Sequence, residues 1–162
     1  MVQELTHFIG GKHVKGTSGR FTDAYQPMTG EVISRVPLAS REEMRAAVEN
    51  AKAAQPAWAA TNPQRRARVL MRFVDLLNQN MDSLAELLAR EHGKTIPDAK
   101  GDIQRGVEVC EFVIGVPHLL KGEYTDGAGP GIDIYSMRQP LGVAAGITPF
   151  NFPAMIPMWK FA

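Results

Sequence analysis

The chain of 162 residues lacks the features that mark secreted, nucleic-acid-binding and membrane proteins. Its one cysteine, Cys110, allows no internal disulfide bond, so nothing in the sequence indicates secretion. Its 18 basic and 17 acidic residues give a net charge of +1, which excludes binding to nucleic acid through bulk positive charge. The amino terminus has neither the basic nor the apolar region of a signal peptide. We therefore expect a cytoplasmic protein.

The most apolar segment, residues 141–162, is not an uninterrupted hydrophobic run. Its length approaches the roughly 20 residues of a membrane span, but Pro149, Pro153 and Pro157 would interrupt helical hydrogen bonding. We predict instead a buried strand over Val143–Ile147, then a turn, and a helix that begins near Pro153. Because no stop signal follows this helix, the chain is expected to be the front part of a longer protein.

The remaining sequence predicts a mixed α/β protein and not a helical bundle. Residues 8–36 have the short apolar runs and glycine turns of β-hairpins, residues 122–131 are typical of a loop, and residues 132–138 of a strand. Between these β segments lie the start and stop signals of four helices. The signals are the Ser40 and Glu43 capping box, Asn62 with Pro63, Asn80 or Asp82 with Gly93, and Thr95 with Asp98.

Apolar residues at helical spacing lie on one face of the first helix and predict a buried stripe on the fourth. In the first helix they are Met44, Ala47, Val48, Ala51 and Ala54. In the fourth they are Ala99, Ile103, Val107, Cys110 and Ile114. Pro117 is expected to end or kink the fourth helix.

Several groups of residues imitate functional motifs. The glycines at 127, 129 and 131 begin like a dinucleotide-binding fingerprint, but the third comes one residue too early and no helix follows, which favours a turn. Cys110 lies on an apolar helix face, where a buried thiol is inert and contributes packing instead of nucleophilic catalysis. The four histidines lack the spacing of metal ligands, so no metal site is predicted.

Four arginines are clustered within the second predicted helix: Arg65, Arg66, Arg68 and Arg72. The cluster is more typical of a solvated helix face than of a nucleic-acid contact, because no aromatic residues are interleaved with it. Arg105 has Asp102 and Glu108 three residues to either side, so its simplest interpretation is a surface ion pair.

Residues 146–160 resemble the aldehyde dehydrogenase superfamily, whose members have a Pro-aromatic-Asn-Phe-Pro motif at this place. Three further segments, 27–33, 91–94 and 138–143, resemble other motifs of the family in the same order. Gln26 and Met28 depart from the family's usual residues. The resemblance covers essentially the whole chain. It implies the front of that α/β fold, with β-hairpins, four helices and the first Rossmann-type strand.

Phe150 and residues 101–106 are most similar to the methylmalonate-semialdehyde dehydrogenase branch. This branch oxidises malonate and methylmalonate semialdehydes with NAD through a cysteine thioester, and transfers the acyl group to coenzyme A. A few other members of the superfamily also have phenylalanine before the asparagine. A branch that hydrolyses its thioester to a free acid therefore stays open, as does an interaction module without catalytic activity.

The resemblance implies a role for individual residues. Asn151 would donate a hydrogen bond to the oxyanion that forms when the cysteine thiolate attacks the aldehyde. Thr148 and Phe150 would face the nicotinamide half of NAD. The substrate would be contacted by Phe152, Trp159 and Arg105, whose guanidinium suits a substrate carboxylate. The nucleophilic cysteine and the lysine that contacts the adenosine ribose cannot be mapped to this chain, so residues 1–162 alone are expected to be inactive.

The same resemblance divides the chain into three parts. Residues 1–121 would belong to the NAD-binding domain, residues 122–140 would form a β arm, and residues 141–162 would begin the Rossmann-type core. The arm is expected to pair with another copy of the protein, because Ile132, Ile134 and Tyr135 need covering. The expected partners are therefore a small-molecule aldehyde and a second subunit, with no nucleic acid and no membrane.

Overall fold

The computed structural model describes residues 2–162, which form seven strands and six helices. The strands are β1 (Gln3–Glu4), β2 (His7–Ile9), β3 (Lys12–Val14), β4 (Phe21–Tyr25), β5 (Val32–Pro37), β6 (Tyr124–Gly129) and β7 (Ile132–Tyr135). The helices are α1 (Arg41–Ala60), α2 (Pro63–Gln79), α3 (Met81–His92), α4 (Ile96–Ile114), α5 (Val116–Leu119) and α6 (Met155–Phe161). The mixed α/β class predicted from the sequence is confirmed.

The strands form three small sheets. In the largest, β5 is central, with β1 parallel on one side and β4 antiparallel on the other. Strands β2 and β3 form an antiparallel hairpin that turns at Gly10 and Gly11, and β6 pairs with β7 in the same antiparallel way. The hairpins predicted within residues 8–36 are therefore confirmed.

Each of the four long helices begins at a predicted cap, and α3 ends at the predicted Gly93, because these signals are local. Helix α4 ends at Ile114, three residues before Pro117, which lies in the first turn of α5 and neither ends nor kinks α4. Ser40 accepts a hydrogen bond from the backbone N–H of Glu43 over 3.1 Å, and the Glu43 carboxylate accepts one from the N–H of Ser40 over 2.7 Å. Asn62 and Thr95 cap α2 and α4 through their side chains. Gly93 ends α3 at φ +84°, a left-handed conformation that a residue with a Cβ rarely adopts.

The main core lies between α2, α3, α4 and α6. Its buried residues are Val74, Leu77, Ala85, Leu88, Ala99, Ile103, Val107, Cys110 and Met158. The predicted inward face of α4 is thus confirmed, and Cys110 is a fully buried packing residue. Among residues 2–162, no helix is both long enough and apolar enough to cross a membrane.

The apolar face predicted for α1 is not buried within the described chain. Helix α1 buries none of its residues, and Met44 and Val48 are 56% and 37% exposed. The sequence pattern showed that one side of α1 is apolar, but the described chain leaves that side at least partly exposed.

The strand predicted over Val143–Ile147 is also absent. This segment is an exposed coil, with Ile147 94% exposed. A strand must pair its backbone N–H and C=O groups with a neighbour, and no strand within residues 2–162 pairs with this segment. In residues 122–131, by contrast, the predicted loop is largely strand β6, and the following strand β7 ends at Tyr135 instead of Arg138.

Candidate functional site

The residues singled out from the sequence lie on α4, on α6 and on the segment 148–152 that leads into α6. Helix α6 approaches α4 closely at Gly106. A Cβ on this residue would lie 2.5 Å from the Met158 Cε atom and 3.3 Å from the Met155 Cα atom, so only glycine fits without a shift. At its other end, α6 packs the Phe161 ring edge-on against Phe73, with ring centroids 5.6 Å apart.

The segment 148–152 presents its predicted functional groups to solvent. Thr148 and Asn151 are exposed, and the Phe150 side chain is 88% exposed. The Phe152 ring is partly buried, and its centroid lies 4.3 Å from the Lys94 Nζ atom in a cation–π contact. An apolar ring, a hydroxyl and a side-chain amide are therefore accessible within four residues.

An apolar groove of about 640 Å³ lies beside this segment, between α2, α3, α4 and α6. Phe150 and Pro153 line one side of it, and Ile103 and Met158 from the core lie among its other lining residues. Polar groups reach the groove from Glu91 and His92. The groove is thus a large hydrophobic concavity next to the predicted site.

Arg105 and Trp159 are brought together by the packing of α6 on α4. The Trp159 indole N–H donates to the backbone carbonyl oxygen of Arg105 over 3.4 Å. Both residues are exposed, and no ion pair links Arg105 to a carboxylate within residues 2–162. Two residues 54 positions apart in the sequence therefore occupy one exposed patch.

The interpretation of Arg105 as the ion-pair partner of Asp102 is wrong. Asp102 is 1% exposed, and its Oδ2 atom lies 2.8 Å from the Nζ atom of Lys94. Its Oδ1 atom accepts a hydrogen bond from the backbone N–H of Met155, also over 2.8 Å. Asp102 points into the protein, whereas Arg105, one turn further along α4, points outward.

Asp102 is a site residue that the sequence prediction did not include, although the sequence contains a signal for it. It lies three residues after Ala99 and four before Gly106, on the same buried face of α4. A carboxylate on a buried helix face must be paired or hydrogen-bonded, because an isolated buried charge is costly. Its partner Lys94 belongs to segment 91–94, whose likeness to a family motif gave no indication of this ion pair.

Cys110 is unsuited to nucleophilic catalysis here. Burial raises the pKa of its thiol, and the nearby carboxylate of Glu111 raises it further. A thiol with a raised pKa is largely protonated near neutral pH, and the thiolate is the reactive form. The inert role predicted for Cys110 agrees with this environment.

The sequence pattern of the aldehyde dehydrogenase family matches residues 13–162. The chain belongs to the aldehyde dehydrogenase family. The family resemblance of segments 27–33, 91–94, 138–143 and 146–160 is therefore confirmed.

Named relatives within the family agree with the predicted branch. The chain is 49% identical over 157 residues to the malonate-semialdehyde dehydrogenase of Pseudomonas aeruginosa, covering 97% of this chain and 31% of that protein. It is 48% identical over 154 residues to the human mitochondrial acylating methylmalonate-semialdehyde/malonate-semialdehyde dehydrogenase, covering 95% of this chain and 29% of that protein.

Solved structures extend the likeness to the fold. A Sinorhizobium meliloti protein, crystallised with NAD and assigned as a methylmalonate-semialdehyde dehydrogenase, superposes with a TM-score of 0.96 at 71% identity. That match covers 98% of this chain and 32% of the crystallised one. The methylmalonate-semialdehyde dehydrogenase of Oceanimonas doudoroffii gives a TM-score of 0.93 at 45% identity, with the same coverage. This aldehyde dehydrogenase chain thus spans about a third of the length of the relatives it matches.

Proposed function

We propose that this chain is the amino-terminal part of an NAD-dependent, coenzyme A-acylating dehydrogenase of malonate or methylmalonate semialdehyde. The observation that carries the proposal is the exposed patch formed by Arg105 and Trp159, in a chain whose named relatives act on these two semialdehydes. The nucleophilic cysteine would lie outside these 162 residues, because the only cysteine among them is buried and has a raised pKa.

Asn151 is the proposed oxyanion donor. When a thiolate adds to the aldehyde carbon, negative charge develops on the carbonyl oxygen, and an amide N–H held at that place stabilises the charge. The Asn151 side chain is exposed, and the chain that follows it is held by two contacts: the Met155 N–H bonds to Asp102 and the Phe152 ring contacts Lys94. An amide is suited to this role because it is neutral at every relevant pH and its donors do not titrate.

The residues around Asn151 fit a nicotinamide cofactor. Phe150 presents an almost fully exposed ring, and Thr148 an exposed hydroxyl, on the same short coil. Such a coil offers a flat apolar surface and backbone groups to a planar ligand with polar substituents. When bound, NAD would accept the hydride that leaves the substrate carbon, while Thr148 and Phe150 would orient the nicotinamide half.

Arg105 is the proposed carboxylate-binding residue. Its guanidinium is exposed and has no ion-pair partner in residues 2–162, so it is free to form a bidentate contact with a substrate carboxylate. Trp159 contacts its backbone and presents an indole ring 48% exposed. A charged fork beside an aromatic ring suits a short aldehyde with a terminal carboxylate.

The hairpin of β6 and β7 is the proposed subunit contact. Ile132, Ile134 and Tyr135 are each more than half exposed, and both hairpin edges lack a further strand within the described residues. Exposed edges with apolar side chains favour pairing with another strand. Residues 122–140 would thus form an oligomerisation arm between the part of the NAD-binding domain in residues 1–121 and the continuing core from residue 141.

The proposal is tested by assaying the full-length protein with malonate semialdehyde and NAD, with and without coenzyme A. The expected products are NADH, carbon dioxide and acetyl-coenzyme A, with slow turnover when coenzyme A is omitted. Release of a free acid at the same rate without coenzyme A would instead favour the hydrolytic branch. Absence of NADH with any short aldehyde would favour a non-catalytic interaction module.

A further inference from the structure

Asp102 is a buried carboxylate with two charged or polar partners from distant segments. Its side chain is completely shielded from solvent, and that of Lys94 is 16% exposed. Lys94 donates to Oδ2 and the backbone N–H of Met155 donates to Oδ1, each over 2.8 Å. A carboxylate placed among core residues is retained only where such partners replace its hydration.

These contacts hold the segment that contains Asn151 at two points. Met155 is the first residue of α6 and lies four residues after Asn151. Phe152 is the residue next to Asn151, and its ring lies under the same Lys94 ammonium that pairs with Asp102. Lys94 itself follows Gly93, where α3 ends. One ion pair therefore connects the junction of α3 and α4 with two residues, Phe152 and Met155, that follow Asn151 in the chain.

We infer that Asp102 is a positioning residue for the oxyanion donor, an inference that rests on the proposed function of Asn151. Asp102 does not touch the reacting atoms, and Lys94 balances its buried charge. The hydrogen bond from the Met155 N–H to Asp102 fixes the backbone that follows Asn151, and this backbone fixes where the Asn151 amide can reach. Preorganisation is essential to this kind of catalysis, since a displacement of about 1 Å lowers the rate by roughly a hundredfold. An ordinary buried ion pair would contribute to folding alone.

Two double variants of the full-length enzyme separate positioning from folding. Lys94→Met/Asp102→Asn and Lys94→Met/Asp102→Leu both remove the two charges, and asparagine and leucine both keep the branched shape of the aspartate side chain. Only asparagine retains an oxygen that accepts from the Met155 N–H. We expect the burst of NADH in the Asn variant to stay within about threefold of wild type, and that of the Leu variant to be at least about tenfold slower. The dissociation constant of NAD should change less than about twofold in both.

Equal burst rates in the two double variants would overturn the inference. So would a loss of NAD affinity that matches the loss of rate, since a general loss of structure would affect both. Asn151→Ala is measured alongside them, because it shows whether the proposed function or only the positioning role is at fault. A normal burst in Asn151→Ala would refute the proposed function, whereas a slow burst there with a normal burst in the Leu variant would refute only the positioning role.

Amide hydrogen exchange provides a second measurement if the Leu variant does not fold. In the wild-type full-length enzyme, the Met155 amide should exchange slowly, and equally slowly with and without NAD, because its acceptor is in place before the cofactor binds. Exchange at the rate of an unstructured amide would show that the contact does not persist in solution. That result would overturn the inference without reference to activity.

Discussion

The indole N–H of Trp159 donates to the backbone carbonyl oxygen of Arg105 over 3.4 Å, which joins α6 to α4 at the exposed edge of the candidate site. The contact uses the Arg105 backbone, so its guanidinium remains available to a ligand. It also means that replacing the Arg105 side chain leaves the link between the two helices intact. Side-chain variants at this position therefore report on ligand binding more than on folding.

Replacing Arg105 by leucine should alter substrate preference. A charge-assisted bidentate contact contributes about 2–3 kcal/mol, which corresponds to roughly a thirty- to hundredfold preference. We expect Arg105→Leu in the full-length enzyme to lower kcat/KM for malonate semialdehyde by that factor and to leave kcat/KM for propanal nearly unchanged. Arg68→Leu, an exposed arginine on α2, is the matched control. An unchanged ratio of the two efficiencies would remove Arg105 from the substrate site.

Replacing Asn151 by alanine should slow acylation without weakening cofactor binding. The amide contacts charge that develops only in the reaction, so its loss should lower the burst rate by roughly a hundred- to a thousandfold while the Kd for NAD changes little. Asn151→Asp has nearly the same shape but no N–H donor, and should be equally slow. Asn78→Ala, on the exposed surface of α2, is the control. Parallel losses of rate and NAD affinity would make Asn151 a structural residue.

The capping box of α1 should contribute to stability in a defined pH range. The backbone N–H groups of Ser40 and Thr17 both donate to the Glu43 carboxylate and lower its pKa from 4.5 to about 2. Because the folded-state pKa is the lower one, this contribution is present above pH 4.5 and is lost as the pH falls towards 2. Thermal unfolding of Glu43→Gln in the full-length enzyme should therefore depend less on pH in this range than wild type.

Glu42 provides the control for that measurement. It lies in the same first turn of α1, but neither of the two N–H donors that hold Glu43 is directed at it. Glu42→Gln should leave the wild-type pH dependence in place. If the two variants lose the same part of the pH dependence, the effect comes from charge near the helix end and not from the capping box.

Cys110 should react slowly with alkylating reagents in the folded enzyme. It is completely buried, and its raised pKa keeps the thiol protonated near neutral pH. Iodoacetamide at about pH 7.5 should leave the Cys110 peptide unmodified, as judged by mass spectrometry, until denaturant is added. Cys110→Ala should keep the burst rate of wild type. Rapid labelling of the native enzyme, or loss of the burst in Cys110→Ala, would contradict the assignment of Cys110 to the core.

The sequence alone predicted features that depend on near neighbours in the chain. The caps at Ser40, Asn62 and Thr95 and the glycine at the end of α3 act over two to four residues, so their chemistry is visible in the sequence. The Pro-Phe-Asn-Phe-Pro motif is likewise contiguous. Because its five residues are adjacent in the chain, the motif by itself indicates the family and makes Asn151 a candidate residue.

Only the tertiary structure decided which distant groups meet. The spacing of Asp102 and Arg105 favoured an ion pair, but in the fold Asp102 pairs with Lys94, and the packing of α6 on α4 brings it the N–H of Met155, 53 residues further along the chain. The apolar run at 143–147 likewise suits a strand, yet it is a coil because no neighbouring backbone pairs with it. Helix caps are local hydrogen bonds, whereas ion pairs and sheets need partners whose positions depend on the whole fold.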